Sequence, residues 1–283
     1  MNKVVNISSN NKKQIKIREI KAKSIITRSN LPDADYVINP YTGCMHSCLY
    51  CYARFMKRFT GHTESWGKFI DVKINGPDLI PEGTSKYEGK TIFMSSVTDP
   101  YNPLERKYKL TRRILEKLIK LQPDLGIQTK SDLVLRDIDL LGQFKNCEVG
   151  LTITTLDDNL RKEIEPFASP VKNRIKVLEK LKEAGINNYA FIGPILPFFT
   201  EWKKIISSTK KFADLYMFEN LNTAGTVWSS VKNWLGEKHP SLLEGYEHIY
   251  FTKNNYWDKV EEKIELFCVE QKVDFKIYFH HGK

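Results

Sequence analysis

Three cysteines crowd one short segment: Cys44, Cys48 and Cys51, in the run Asn39-Pro-Tyr-Thr-Gly-Cys-Met-His-Ser-Cys-Leu-Tyr-Cys-Tyr. The spacing is C-x3-C-x2-C. Soft thiolates at this density select zinc or an iron–sulfur cluster. A structural zinc wants four ligands, usually as two separated pairs, and the only other cysteines, Cys147 and Cys268, are isolated. His46 could complete a Cys3His knuckle, but it sits between its neighbours with poor reach. Three core cysteines would not crowd a loop flanked by Gly and Pro. A disulfide with a spare thiol does not suit a chain whose first residues lack the apolar stretch of a secretory signal. Three thiolates can instead hold three corners of a four-iron cluster and leave the fourth iron open.

Other polar residues fall where short apolar runs end. Ser95-Ser-Val-Thr-Asp-Pro100 offers hydroxyls and a carboxylate, or a plain Asp-Pro turn. Gln128-Thr-Lys-Ser-Asp132 places Lys130 where it can pair with a carboxylate. Thr152-Ile-Thr-Thr155 offers hydroxyls again. Glu165 and Arg174 read as a simple ion pair. Gly193-Pro-Ile-Leu-Pro197 can form a flat turn able to pack on a ring. Tyr52 follows Cys51 directly and opens a helix, whose N-terminus would help balance a negative cluster.

The elements that must position these residues read as alternating strands and helices, the pattern of βα units around a parallel sheet. Strands are expected over 36–39, 69–74, 91–95, 126–129, 148–153, 189–192 and 215–218. A helix stripe runs through Leu110, Ile114, Leu115, Leu118 and Ile119, stopped by Pro123. Another opens at Pro170, carries Val171, Ile175, Leu178 and Leu181, and is capped by Gly185. Chemistry in such a barrel gathers at the C-terminal ends of the strands, where the segments above lie. The last sixty or so residues read as helices over 224–235, 241–250 and 255–271 and a short strand over 275–279. Their rings, Trp228, Trp234, Tyr246, Tyr250, Tyr256 and Trp257, read mainly as core and barrel cover, with base stacking as the alternative.

C-x3-C-x-aromatic-C, with Tyr50 as the aromatic, resembles the signature of the radical S-adenosylmethionine (radical SAM) superfamily. The resemblance implies a [4Fe-4S] cluster on Cys44, Cys48 and Cys51 whose open iron chelates S-adenosyl-L-methionine (SAM). It implies a one-electron cleavage of SAM to a 5′-deoxyadenosyl radical, and a one-electron reductant such as flavodoxin or ferredoxin. It also implies the family's partial (β/α)6 TIM-type barrel. The order of the pieces, from about residue 36 to 222, is similar to the spore photoproduct lyase-like (DNA repair photolyase-like) branch. By that likeness Ser96, Lys130 and Thr155 fall where the lyase contacts SAM; Tyr50, Thr98, Asp99 and Thr154 join them as expected cofactor contacts. The lyase carries a hydrogen-donating cysteine in the segment corresponding to Ser95-Ser96-Val97. Here that run has no thiol, so Ser96 stands at the donor's place and Tyr52 becomes a candidate for quenching the radical.

The 283 residues, 41% hydrophobic, suit one large α/β domain or barrel, or two small domains. No apolar run is long enough for a membrane span, and a cytoplasmic monomer is expected. Of the net charge of +10, residues 1–29 carry eight Lys and Arg against one Glu. The expected organisation is a basic arm over 1–29, a barrel over 30–222 and a mainly helical C-terminal extension over 223–283. The arm, with Lys12, Lys13, Lys16, Arg18, Lys21 and Lys23, and a smaller cluster of Arg54, Lys57 and Arg58, could meet phosphates; a solvated tail is the bland reading. Three functions stay open: a radical enzyme acting on a nucleic-acid base or lesion, the same chemistry on a peptide or small metabolite, and a non-catalytic iron–sulfur protein for electron transfer or nucleic-acid binding.

Overall fold

The computed structural model describes residues 4–7, 15–83 and 85–280. The strands are β1 (Val4–Ile7), β2 (Ile15–Ile20), β3 (Ile26–Arg28), β4 (Tyr36–Ile38), β5 (Tyr41–Thr42), β6 (Phe69–Lys73), β7 (Thr91–Met94), β8 (Asp124–Thr129), β9 (Cys147–Thr152), β10 (Asn187–Ile195), β11 (Leu215–Asn220) and β12 (Asp274–Tyr278). They make two sheets. In the larger one, β4, β7, β8, β9, β10, β11 and β12 lie side by side and parallel, with β3 antiparallel on the β4 edge. The first six of these are the strands of the partial barrel. The edges β3 and β12 are not paired with each other. The Tyr278 hydroxyl of β12 donates to Asp33 Oδ2, in the connection between β3 and β4, at 2.9 Å.

Alternation along each strand decides what faces the helices and what faces the interior. In β8, Leu125 and Ile127 are buried against Ile114, Leu115 and Leu118 of helix Leu110–Leu118, in one core with Val177, Leu178 and Leu181 of helix Val171–Glu183. Each such aliphatic side chain contributes about 1.5–3 kcal/mol by leaving water. The opposite face carries Gly126 and Gln128, and Lys130 follows on the same side. Aromatic rings fill the interior below. A Cβ on Gly150 would stand 2.0 Å from the Tyr189 ring, and one on Gly126 2.9 Å from Phe93. The Tyr189 hydroxyl then donates to Gln128 Oε1 at 3.1 Å, holding Gln128 at the floor of the mouth.

Two expectations need correction. The run 69–74 is a strand, but β6 pairs with β2 and β5 in a separate four-stranded sheet ordered β1-β2-β6-β5. A short run of strand-forming residues announces a strand without announcing its partner, so β7, expected as the third barrel strand, is the second and lies directly beside β4. Within the basic segment 1–29, β2 and β3 belong to sheets, and Lys16 and Arg18 already pair with Glu64 and Asp71 at 2.8 Å. Lys21 and Lys23 are exposed, and Lys12 and Lys13 lie outside the described residues. As expected, the C-terminal extension supplies helices, Val227–Lys238, Leu243–Phe251 and Tyr256–Gln271, and a strand, β12, which lies in register with β11. Trp234, Tyr246 and Trp257 are buried, in keeping with the core reading of the aromatic tail. Among the described residues no helix is long and apolar enough to cross a membrane.

Candidate active site

The chain leaves β4, turns at Gly43 and enters the cysteine loop. Gly43 has φ +89°, and a Cβ there would stand 2.6 Å from the Phe69 carbonyl oxygen, so only glycine fits. The loop is then fastened from several sides. Thr98 Oγ1 donates to the Gly43 carbonyl at 2.7 Å. The Leu49 N–H donates to Ile164 O at 2.8 Å and the Phe167 N–H to His46 O at 3.4 Å. Arg54 donates to the carbonyls of Cys48, at 3.2 Å, and Leu49. Cys44 and Cys48 are buried, Cys51 is half-buried, and all three are free thiols. They line one cavity with Ser95–Asp99, Gln128–Lys130 and Thr152, at the C-terminal ends of β7, β8 and β9.

The donor set suits a cluster better than zinc. His46 Nδ1 lies 3.1 Å from Phe167 O, and Nε2 lies 3.2 Å from Asp99 Oδ2, off the line of a hydrogen bond. Both ring nitrogens thus face other groups. Among the described residues no three His, Cys, Asp or Glu side chains converge to hold a single metal ion. The three thiols share one cavity, and three thiolates can hold three irons of a cluster. Burial pushes all three thiols above their ordinary pKa, with the Ala53 N–H pulling Cys51 partly back, so binding iron must displace their protons. The helix expected after Cys51 is a 3-10 helix, Tyr52–Phe59. Two hydroxyls on the cavity wall, Ser95 Oγ and Thr152 Oγ1, are buried without a hydrogen-bond partner among the described residues. Buried orphan hydroxyls are costly, and they fit a polar cofactor seated beside the thiols.

Tyr50 stands inside the cysteine motif, and its hydroxyl donates to Glu165 Oε1. Glu165 Oε2 lies 2.5 Å from Arg174 Nη2. Arg174 also donates to Ser169 O at 2.8 Å and Thr152 O at 2.9 Å. Burial opposes the Glu165 charge, but Arg174 and Lys130 outweigh it and its pKa falls below the ordinary value. Thr154 lies 3.2 Å from both Tyr50 and Glu165 and donates to Gly193 O at 3.1 Å. Thr155 Oγ1 accepts the Asp157 N–H at 3.0 Å. Both threonines are buried in these bonds and neither lines the cavity; on the wall stands their neighbour Thr152 instead.

The other expected residues do gather at the cavity. Ser96 is fixed by Asn39, which accepts its N–H at 3.0 Å and donates to its Oγ at 3.1 Å. The Tyr52 hydroxyl donates to Ser96 O. Asp99 accepts from Thr129 Oγ1 at 2.7 Å and the Lys130 N–H at 2.9 Å, tying the β7 turn to the end of β8. The Lys130 ammonium lies 5.7 Å from the Tyr50 ring centre and joins none of the ion pairs among the described residues. Burial works against its charge, but Cys48, Glu165 and Asp99 outweigh burial and raise its pKa.

An adjoining cavity of about 300 Å³ shares Cys48, Cys51, Tyr52, Gln128 and Lys130 and adds Phe191, Gly193, Pro194, Glu219, Asn220 and His280. Asn39, Gln128, Glu219, Asn220 and His280 were not singled out in the sequence. The strand-end rule would have found Glu219 and Asn220 had β11 been drawn beyond residue 218. His280 follows β12, and its Nε2 lies 2.9 Å from Glu219 Oε1. Cys147 opens β9, at the end away from the cavity, and Cys268 is buried in helix Tyr256–Gln271.

With this geometry in place, comparison with known proteins is specific. Residues 38–206 match the model of the Radical SAM superfamily. An uncharacterized protein of Methanocaldococcus jannaschii is 46% identical over 231 residues, covering 82% of this chain and 86% of the relative. The Radical SAM Nalpha-GlyT isomerase of Pseudomonas phage M6 is 24% identical over 160 residues, 56% of this chain and 32% of that protein. Among solved structures, spore photoproduct lyase complexed with dinucleoside spore photoproduct has the same fold, with a TM-score of 0.67 at 16% identity over 92% of this chain and 81% of that one. The chain belongs to the Radical SAM superfamily, whose members use a [4Fe-4S] cluster and S-adenosylmethionine.

Proposed function

We propose that Cys44, Cys48 and Cys51 hold the cluster and that the surrounding wall holds SAM for hydrogen abstraction from a substrate in the adjoining cavity. The observation that carries this reading is the placement of all three thiols on one cavity with an ammonium, Lys130, that has no ion-pair partner among the described residues. When bound, the cluster and SAM supply an electron and a 5′-deoxyadenosyl radical. Lys130 would pair with the SAM carboxylate. Ser95 and Thr152 offer their unpaired hydroxyls to its polar groups, and Ser96, Thr98 and Asp99 shape the turn that faces it. Tyr50, held by Glu165, sets the spacing between Cys48 and Cys51. Tyr52 stands where the two cavities meet and is the side chain placed to return hydrogen to a substrate radical.

The substrate class we favour is a nucleic-acid base or lesion. The support is the fold shared with a lyase that holds a dinucleoside photoproduct, together with the exposed Lys21 and Lys23. A lyase-type repair is one outcome; the relative named as an isomerase makes rearrangement another. The test is anaerobic turnover with dithionite and SAM. The expected result is 5′-deoxyadenosine without substrate, and deuterium passing into it from perdeuterated oligonucleotide. No 5′-deoxyadenosine under any condition would return the chain to a non-catalytic iron–sulfur protein. Deuterium only from peptides or metabolites would keep the chemistry and remove the nucleic acid.

A further inference from the structure

Radical SAM enzymes take their electron from an external reductant, and one surface of this chain has the composition to receive one. The 3-10 helix Tyr52–Phe59 begins at the residue after Cys51. From residue 52 to residue 63 the chain carries Arg54, Lys57 and Arg58 and no acidic residue. Phe55 and Phe59 are 42% and 66% exposed. The Arg58 guanidinium lies over both rings, 5.4 Å from the Phe55 centre and 4.7 Å from the Phe59 centre. Two adjacent exposed rings under an exposed cation mark an interaction site better than scattered surface residues would. Arg54, in the same helix, reaches back to the Cys48 and Leu49 carbonyls, so the patch is fastened to the cysteine loop.

We infer that Phe55, Lys57, Arg58 and Phe59 form the docking site for an acidic one-electron carrier protein of the flavodoxin or ferredoxin type. The inference rests on Cys51 as a cluster ligand. In the step, the reduced carrier gives up one electron, the oxidised cluster gains it, and no bond of the protein forms or breaks. The cations supply complementarity that steers an acidic partner, and the rings supply the apolar centre of the contact. A small patch suits an electron-transfer encounter, which commonly buries less than about 1,200 Å² in total. A nucleic-acid strand would also find cations and rings here. The carrier is favoured because one face of each ring is already taken by Arg58, where a base would stack, and because the helix that carries the patch starts at the residue after Cys51.

The experiment uses the full chain with reconstituted cluster and follows bleaching of its visible absorption by stopped flow. Flavodoxin hydroquinone is one reductant and dithionite the other. In Arg58→Glu the flavodoxin rate should fall at least tenfold and lose its decline with salt, while the dithionite rate stays as in the parent. Phe59→Ala should lower the flavodoxin rate alone as well. Flavodoxin rates within twofold of the parent in both variants would overturn the docking site. So would loss of oligodeoxythymidine binding in Arg58→Glu with the flavodoxin rate intact, since that would assign the patch to nucleic acid. Failure of dithionite to bleach the parent protein would overturn the cluster assignment itself.

Discussion

Arg174 Nη2 lies 2.5 Å from Glu165 Oε2, and both side chains are 1% exposed. The contact is one of charges rather than an aligned hydrogen bond, and the other Glu165 oxygen accepts the Tyr50 hydroxyl. The pair thus supports the cysteine loop from beneath. Arg174→Met would leave a buried carboxylate unpaired and should cost about 3–5 kcal/mol in denaturant unfolding. Tyr50→Phe should cost about 1–2 kcal/mol. A loss below about 1 kcal/mol in Arg174→Met would show that the pair does not support the fold.

Acid stability should report on Asp99. Burial raises its pKa, but His46, Thr129 and the Lys130 N–H hold it down at about 2, below the ordinary 3.8. A depressed carboxyl contributes its full share above the unfolded value and loses it as pH falls toward the folded one. The contribution, about 2 kcal/mol, should therefore disappear as pH drops from 3.8 to about 2. Asp99→Asn should be less stable at neutral pH and show a flatter acid limb. Parallel acid limbs for parent and variant would place the acid sensitivity elsewhere.

Much of the barrel was legible because each strand carries its own apolar run and each covering helix its own stripe. Partner choice was not legible, since β2 and β6 meet across some fifty residues of intervening chain. The cysteines, Lys130 and the Glu165–Arg174 pair could be read from type and spacing. Thr152 could not be told from Thr154 and Thr155, because which hydroxyl faces the cavity depends on where β9 ends. Asn39 acts on the distant turn after β7, accepting the N–H groups of Ser96 and Val97, a contact that no local pattern encodes.

Lys130→Met should weaken SAM binding to the reconstituted protein by about 1–3 kcal/mol, the range for losing a charge-assisted hydrogen bond. The cluster's absorption should hardly change. Equal affinity in calorimetric titration would place the SAM carboxylate elsewhere on the wall.

Among the described residues the cavity wall holds no thiol beyond the three loop cysteines. The sequence likeness sets Ser96 against the lyase's donor cysteine, and a serine O–H bond is too strong to yield its hydrogen readily to a carbon radical. The native protein should give little clean repair of the spore photoproduct dinucleotide, and Ser96→Cys should give more. Efficient native repair would point to another donor, with Tyr52→Phe the first variant to make.

The most direct measurement is iron and sulfide content after anaerobic reconstitution, with EPR of the reduced protein before and after SAM. The cluster assignment predicts about four irons and four sulfides per chain and an EPR signal that changes on adding SAM. Cys147→Ala and Cys268→Ala should match the parent, while Cys44→Ala, Cys48→Ala and Cys51→Ala should each abolish SAM cleavage. A stoichiometric zinc with no iron retained, or a reduced signal indifferent to SAM, would contradict it.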